Sequence, residues 1–536
     1  MARKNKIAPR QPNNFLLAAI VIACAAAFYL PSLDYEYTGL DDTSLIVDNY
    51  SFLRDMANIP RAFGKGVFET EEFRRNRPGE KPRGDFYRPA LTLSLMIDAQ
   101  FAQPLPRGGV KPGAFRRGNI IMHAAATALL LFVMIRLGFR RWTSFALAMI
   151  FAAHPAFTQA VAWIPGRNDL LLAVFIFASF LALLVYIEKE KMGYNILHYI
   201  FFAIAMFTKE SAILAAIVFL LYKILVNKKK WTALLPDIGI YILIFAVYFL
   251  ARWSALAGAP EVDITAEGLP GTLLYILQYL QKAIIPVNLA SVVTPRDTDY
   301  LMSAMAIIIL VGGVLLSKSP RPRLMIFGAL WFFIFIIPGL LPGIFSGMEH
   351  RLYLPFAGLA IFAGEFTIFR KIVEKKGIYA AAAAIIFIIF AFLTINRLPD
   401  YENRFSFWTA AVEDSEHSAT ACLNLGEMYQ QVGKSARAAQ VHREGLRRDE
   451  DMYMMNNNLG GAFMHMEQYD SARKYLHREI RFHPGNPFPF YNLGLMHHML
   501  GRRDSAIHYY RKTLKIDRNF IYAKRQLKEI YGSGSR

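Results

Sequence analysis

Five polar groups interrupt long apolar stretches, and each holds side chains that exchange a proton or bind an anion: Asp41-Asp42; Tyr87-Arg88-Pro89; His154-Pro155 leading to Gly166-Arg167-Asn168-Asp169; Lys209-Glu210; and Glu349-His350-Arg351, followed by Leu352-Tyr353-Leu354-Pro355. A carboxylate accepts a proton or binds a cation. Guanidinium pairs bidentately with phosphate oxygens, and Lys acts on them as a point charge. A charge at the centre of a membrane helix costs about 2.5 to 3.5 kcal/mol, so charges gathered at the ends of apolar runs need a reason to be there. Each group also has a plain reading. Asp41-Asp42 would be a solvated helix end, Arg88, Lys209 and Arg351 snorkelling cations, and His154 a structural residue before Pro. Arg167 and Asp169 would pair and brace a turn, Glu210 would hold Lys209, and Tyr353 would pack at the membrane interface.

The elements that must position these groups are apolar helices. Of the 536 residues, 54% are hydrophobic and 14% aromatic, with the excess before residue 400. A helix crosses the hydrocarbon layer in about 20 residues. The apolar runs predict spans near 14–33, 118–137, 143–157, 169–187, 196–208, 211–226, 233–252, 301–317, 324–341, 352–369 and 378–396, about eleven in all. The first follows a basic head (Arg3, Lys4, Lys6, Arg10) and is too long for a signal core, so it is expected to be retained. Leu91–Phe101 and Leu273–Ile285 read as interfacial helices beside outer loops.

The formal net charge of +19 does not point to nucleic acid, because much of it sits in short runs between apolar segments: Arg140-Arg141, Lys228 to Lys230, Arg321-Pro322-Arg323, and Arg370-Lys371 with Lys375-Lys376. Basic runs of this kind stay cytoplasmic. A cytoplasmic N-terminus puts all of them inside and the five polar groups outside, as expected of an inner (cytoplasmic) membrane protein. The two cysteines, Cys24 and Cys422, predict no internal disulfide.

After Asn396 the chain turns polar, and Asn-Leu-Gly recurs at 424–426, 458–460 and 492–494, a period of 34. Ala438, Ala472 and Ala506 each follow twelve residues after the Gly, which is the tetratricopeptide pattern of paired antiparallel helices. The expected organisation is an all-α chain: a polytopic helical membrane domain at 1–396, a connecting helix at 397–418, and at 419–536 three tetratricopeptide repeats with a capping helix, forming a short α-solenoid. Odd spans with an inside start put the repeats on the extracytoplasmic side.

The order of Leu40-Asp41-Asp42, Tyr87-Arg88-Pro89, His154-Pro155 through Ala160-Val161-Ala162-Trp163-Ile164 to Gly166-Arg167-Asn168-Asp169, Lys209-Glu210, and Arg351-Leu352-Tyr353-Leu354-Pro355, closed by tetratricopeptide repeats, resembles the transmembrane-and-tetratricopeptide O-mannosyltransferases. More loosely, it resembles the GT-C superfamily of polyprenol-dependent glycosyltransferases. The likeness runs over nearly the whole chain. It departs at Gln159, where the pattern carries Glu, and in the short repeat array.

The resemblance implies an inverting glycosyltransferase that moves a sugar, mannose in the family, from a polyprenyl-phosphate donor to Ser or Thr hydroxyls of an exported protein presented by the repeats. It implies Asp41 as base, with Asp42 orienting the acceptor or the sugar or binding a metal. Arg88, His154, Lys209 and Arg351 are implied for the donor phosphate, and Arg167, Asp169, Glu210, Glu349 and Tyr353 as supporting residues. No cofactor is implied with certainty, and a divalent metal is left open.

The chain lacks a phosphate-binding Gly-rich loop ending in Lys-Ser/Thr, a zinc-type Cys cluster and His-Glu-x-x-His, so ATP-driven transport and zinc proteolysis find no support. His497-His498 and His508 read as packing and surface residues of the repeats. The competing reading is a non-catalytic membrane-anchored scaffold that uses the repeats to recruit envelope proteins. Secondary transport ranks below it, since its broken helices and midplane polar groups are missing from the pattern.

Overall fold

The computed structural model describes residues 13–70, 73–74, 86–105, 109–258, 269–318, 320–340, 347–372 and 377–532, which are helical apart from loops and an isolated bridge between Pro104 and Val110. The basic head and Lys375-Lys376 lie outside the described residues. The chain divides into two units, Met1–Ser291 with Thr298–Asn403, and Val292–Asp297 with Arg404–Arg536.

In the first unit a helix occupies every predicted span. They are α1 (Asn14–Ala27), α2 (Pro89–Ala99), α3 (Gly113–Arg136), α4 (Arg141–Ala152), α5 (Arg167–Lys189), α6 (Met192–Met206), α7 (Ile213–Leu225), α8 (Leu235–Leu256), α9 (Leu269–Ile284), α10 (Tyr300–Leu315), α11 (Pro322–Leu340), α12 (Pro355–Ala363) and α13 (Ile378–Arg397), where α2 and α9 are the two segments expected at the interface. Among the described residues five stretches are long and apolar enough to cross a membrane: Gly113–Arg136, Ile164–Lys189, Trp231–Leu256, Pro322–Leu340 and Ile378–Tyr401. A sixth joins them if Arg141–Ala152 and Pro155–Ala162, bent by 50°, form one broken span. The unit is therefore a polytopic membrane domain.

Backbone hydrogen bonds must close within each helix in lipid, and the helices then associate through small residues that let backbones approach. The α11–α12 pair is the clearest case. A Cβ on Gly328 would meet the carbonyl oxygen of Gly358 at 2.6 Å, and one on Gly358 would meet the backbone N of Phe332 at 2.6 Å. That contact lays the C-terminal end of α11 beside the 349–355 turn.

In the second unit α14 (Arg404–Asp414) is followed by three helix pairs, α15 (Ala419–Gln431) with α16 (Ser435–Arg448), α17 (Met455–His465) with α18 (Tyr469–Phe482), and α19 (Pro487–Met499) with α20 (Arg503–Ile516), then by α21 (Ile521–Gly532). The repeated Gly explains the pairing. Gly426, Gly460 and Gly494 each sit against one residue of the partner helix, His442, Leu476 and Tyr510, again 34 apart. Ala438, Ala472 and Ala506 are fully buried at the same seams.

Candidate active site

Asp41 projects from a turn in the left-handed region, with φ 58°, a conformation that costs a non-glycine residue about 1 kcal/mol or more and needs surrounding bonds to persist. Those bonds are present. Asp42 Oδ2 accepts from the backbone N of Thr38 at 2.8 Å and from its hydroxyl at 2.5 Å. The backbone N of Leu45 donates to Asp41 O at 2.9 Å, and the indole N–H of Trp163 donates to Leu40 O at 2.8 Å. Fully buried Arg116 grips the incoming loop through the carbonyls of Tyr35 and Glu36. Asp42 is buried and points back into the turn, whereas Asp41 opens into a cavity of about 420 Å³, within the size range of small-molecule sites.

That cavity collects Asp41, Arg88, Asp169, Lys209, Glu210, His350 and Arg351 from across the sequence, with Arg252 of α8 added. The rest of its lining is mostly apolar or aromatic, including Leu45, Phe68, Phe86, Leu172, Phe335 and Leu354, with Asn168 and Ser211 as further polar residues. The charges are organised in pairs. Lys209 Nζ lies 2.7 and 2.8 Å from the two oxygens of Asp169. Glu210 Oε2 accepts from Arg88 at 2.9 and 3.1 Å, while Oε1 lies 3.6 Å from Arg252. Phe86 supports the Arg88 guanidinium from 4.2 Å. Arg351 has no carboxylate within 4 Å among the described residues; its nearest polar contact is the carbonyl of Pro338 at 3.5 Å, where α11 ends. Among the described residues four cations thus share the cavity with three carboxylates, and Asp41 and Arg351 are the two charges with no ion-pair partner within 4 Å.

The surroundings tune the protons. Enclosure by the cavity walls raises the Asp41 carboxyl above the ordinary range against the pull of Arg88, which suits a proton acceptor. Full burial pushes Asp42 up to about 6 against its Thr38 bonds. Burial lowers Lys209, and Asp169 works in the opposite direction. Burial opposes ionisation of Glu210, but Arg88 outweighs it and the group stays below its usual value. Burial holds His350 down at about 3, helped by Lys209, Arg351 and Arg88, so its ring is neutral at pH 7.

Several expected residues stand outside the cavity. Arg167 is fully buried and pairs not with Asp169 but with Asp98 of α2 at 2.5 Å, donating also to Asn119 Oδ1 at 2.7 Å. Lys209 is held by Asp169 rather than by Glu210. The His154 ring contacts Ala283 O at 3.2 Å and stacks on Phe157, with 4.7 Å between ring centroids. Tyr353 is buried inside the bundle, its hydroxyl 2.7 Å from His123 Nδ1, not at a lipid interface. Glu349 is fully buried between Lys282 at 2.9 Å and Arg397 at 2.5 Å, which together outweigh the effect of burial and keep it ionised. It also accepts from the backbone N of Ala290 at 2.7 Å. Gln159 donates to Ser291 O at 2.9 Å and accepts from the backbone N of His350 at 3.1 Å, so it helps to set the turn that carries His350 and Arg351. Among the described residues no group of three or more His, Cys, Asp or Glu side chains could hold a metal ion.

Four residues were missed from sequence. Asp98 lies within the Leu91–Phe101 segment as one acidic residue of an interfacial helix, and Arg116 lies just before the 118–137 run, where hydropathy trims a run short of its charges. Arg252 looked like the end of a span, and Trp163 reads as one apolar residue among several. An Arg at the end of an apolar run, paired with Arg117 in one case and alone in the other, was the available signal for Arg116 and Arg252.

The family model for dolichyl-phosphate-mannose-protein mannosyltransferase matches residues 113–253, the stretch from α3 to α8. Tetratricopeptide models match 421–451 and 489–520. Protein O-mannosyl-transferase TMTC3 of Mus musculus is 30% identical over 169 residues, 32% of this chain and 17% of the relative. Protein O-mannosyl-transferase TMTC2 of Homo sapiens is 38% identical over 111 residues, 20% and 12%. Protein O-mannosyl-transferase TMTC4 of Homo sapiens is 28% identical over 218 residues, 37% and 27%. Over these stretches the chain is similar to the protein O-mannosyl-transferases TMTC2, TMTC3 and TMTC4. Its aligned part spans less than a third of the length of each of these curated relatives. The matched mannosyltransferase region contains Asp169, Lys209, Glu210 and Arg252 of the cavity, while Asp41, Arg88 and Arg351 enter it from either side in sequence.

Proposed function

We propose that the chain is a membrane O-glycosyltransferase, with mannose as the family's sugar, that transfers one sugar with inversion from a polyprenyl-phosphate donor to a Ser or Thr hydroxyl of an exported protein. The observation that carries this reading is Arg351: a cation with no carboxylate within 4 Å among the described residues, in the same cavity as a carboxylate of raised proton affinity, Asp41. In the step, the acceptor oxygen bonds to the anomeric carbon as the bond from that carbon to the phosphate oxygen breaks. The bonding pair leaves with the polyprenyl phosphate, and the acceptor proton passes to Asp41. Arg351, with Arg88 and Lys209 behind it, stabilises the phosphate as its charge grows. Apolar walls beside the charges suit the start of a polyprenyl chain.

The same reading has about eleven spans, a cytoplasmic N-terminus in the inner membrane, and the cavity and repeats on the far side, where the repeats would offer a groove to an extended acceptor. It is supported by the placement of Arg321 at the start of α11 and Pro338 near its end, roughly 26 Å apart at 1.5 Å per residue, close to a hydrocarbon thickness. The test uses the purified full chain with labelled polyprenyl-phosphate mannose and Ser/Thr peptides. Transfer by the unaltered chain that is lost in Asp41→Asn and Arg351→Ala supports the assignment. Full transfer in both variants defeats the site.

A further inference from the structure

The His350 ring lines the cavity beside Arg351, and its surroundings fix which of its nitrogens carries the proton. Two backbone groups of opposite polarity orient the side-chain amide of Gln159: Nε2 donates to Ser291 O at 2.9 Å, and Oε1 accepts from the backbone N of His350 at 3.1 Å. Turning the amide over would set N–H against N–H and oxygen against oxygen, so Oε1 is the atom that faces His350 Nδ1, also at 3.1 Å. An amide oxygen only accepts. Nδ1 therefore donates, and in a neutral imidazole Nε2 is left as a bare acceptor. The ring is neutral at pH 7 because burial holds its proton affinity down at about 3. Of the charges that face it, Asp169 at the start of α5 opposes this, while Lys209 before α7, Arg351 on the same turn and Arg88 before α2 reinforce it.

Among the described residues nothing donates to that nitrogen. Asp169 Oδ2 lies 3.7 Å from it, beyond hydrogen-bonding distance, and both oxygens of this carboxylate are already held by Lys209. An uncharged acceptor in a cavity of charges selects for an O–H group. A polyprenyl-phosphate sugar has three parts, and only one of them offers such a group: the phosphate diester has no proton to give at neutral pH, the hydrocarbon has none, and the sugar carries several hydroxyls. The hydroxyl of the acceptor is not available, since its proton goes to Asp41. Trp163 completes the surroundings. Its ring centroid lies 5.3 Å from that of His350, and its N–H holds the carbonyl of Leu40, so one indole lines the cavity between the turn of Asp41 and the turn of Arg351. A flat apolar wall with a few aimed polar atoms is the usual make-up of a small-molecule site.

We propose that His350 is a specificity residue of the sugar subsite, its Nε2 accepting a hydrogen bond from one hydroxyl of the donor's sugar, and that Gln159 is the positioning residue that holds the ring in this tautomer. The inference rests on the sugar-transfer reading above. The purified full chain is assayed with polyprenyl-phosphate mannose and with deoxy-mannose donors that each lack one hydroxyl. One deoxy donor is expected to be transferred about tenfold or more less efficiently than mannose by the unaltered chain, because a site built to bond a hydroxyl rejects the analogue without it. His350→Phe lowers mannose transfer by a similar factor and no longer distinguishes that donor from mannose. His350→Gln, whose amide oxygen reaches about as far as Nε2, recovers part of the distinction. Gln159→Glu places a carboxylate on Nδ1 and favours the imidazolium, which has no acceptor, so its loss of transfer on acidification should begin about one pH unit or more above that of the unaltered chain. A deoxy penalty of equal size in His350→Phe and the unaltered chain overturns the hydroxyl contact and leaves the transfer reading standing. An unmoved acid limb in Gln159→Glu overturns the role of Gln159, and if His350→Phe fails to fold it overturns the proposal as a whole. A chain that transfers mannose from no donor defeats the underlying reading and this inference with it.

Discussion

Lys209 Nζ sits 2.7 Å from Asp169 Oδ1 and 2.8 Å from Oδ2, an ion pair joining the turn before α7 to the first turn of α5. The pair lines the cavity and makes Lys209 a phosphate ligand whose charge is already partly matched. Removing only the carboxylate leaves a cation in a low-dielectric site, and breaking a buried pair in this way costs about 3 to 5 kcal/mol. Asp169→Asn is therefore expected to lower the thermal midpoint and to drive Lys209 toward its neutral form, with donor KM rising more than kcat falls. A double change, Asp169→Asn with Lys209→Met, recovers much of the stability and little of the transfer. Midpoints and kinetics of the three variants check this. A single Asp169→Asn variant of unaltered stability contradicts it.

Asp41 and Asp42 are adjacent in sequence and differ in what they touch. Asp41 faces the cavity, while Asp42 Oδ2 closes the turn on Thr38. Loss of a general base reduces turnover by about 10²- to 10⁴-fold, and Asp41→Asn should fall in that range with donor binding intact. Asp42→Asn keeps an acceptor oxygen for Thr38 and should retain most of the activity, whereas Asp42→Ala leaves the Thr38 donors without their acceptor and should lose it. Turnover and donor affinity of the three variants separate these roles, and equal losses in both Asn variants would show that Asp42 acts directly on substrate.

Arg351 gives a different signature. Arg351→Ala is expected to weaken donor binding and slow transfer together, because the developing phosphate charge exceeds that of the ground state. Arg351→Lys restores part of the loss, as a point charge replaces a planar fork. Donor titration alongside single-turnover rates would read both effects. An Arg351→Ala enzyme with unchanged KM and kcat excludes contact with the phosphate.

The candidate site was legible in sequence as charge without geometry. Asp41, Arg88, Lys209 and Arg351 stood out because charges at the ends of apolar runs are costly, and that cost is visible residue by residue. Their partners were not, since an ion pair forms across helices packed by tertiary contacts. Nothing in sequence separation joins Glu349 to Lys282 and Arg397, or Arg167 to Asp98. Nearest neighbours misled for the same reason: Glu210 follows Lys209 in the chain, yet the turn aims it at Arg88. The distinction between Asp41 and Asp42 rests on a left-handed backbone angle that residue type only permits. The repeats were legible in full because one seam recurs every 34 residues, with Gly426, Gly460 and Gly494 facing the same register of the partner helix.

That seam contains one misfit, and it supplies the last prediction. Where the second and third repeats place Leu476 and Tyr510 against the glycine, the first places His442, fully buried, with neither ring nitrogen hydrogen-bonded among the described residues. Burial lowers its proton affinity from the ordinary 6.5 to about 4. A histidine depressed in the folded state binds its proton more readily when unfolded. Its contribution to stability is therefore whole above about pH 6.5 and is lost as pH falls from there toward 4, at about 1.4 kcal/mol per pH unit across that window. His442→Leu removes both the titration and an unsatisfied polar ring, and should stabilise the α15–α16 pair by roughly 1 to 3 kcal/mol at neutral pH. Hydrogen exchange of peptides from residues 419–448 in the full chain, compared at pH 7.5 and 5 after correction for intrinsic rates, reads the effect locally. Protection should fall toward pH 5 in the unaltered chain more than in His442→Leu, and an identical pH response in the two would remove His442 as the cause.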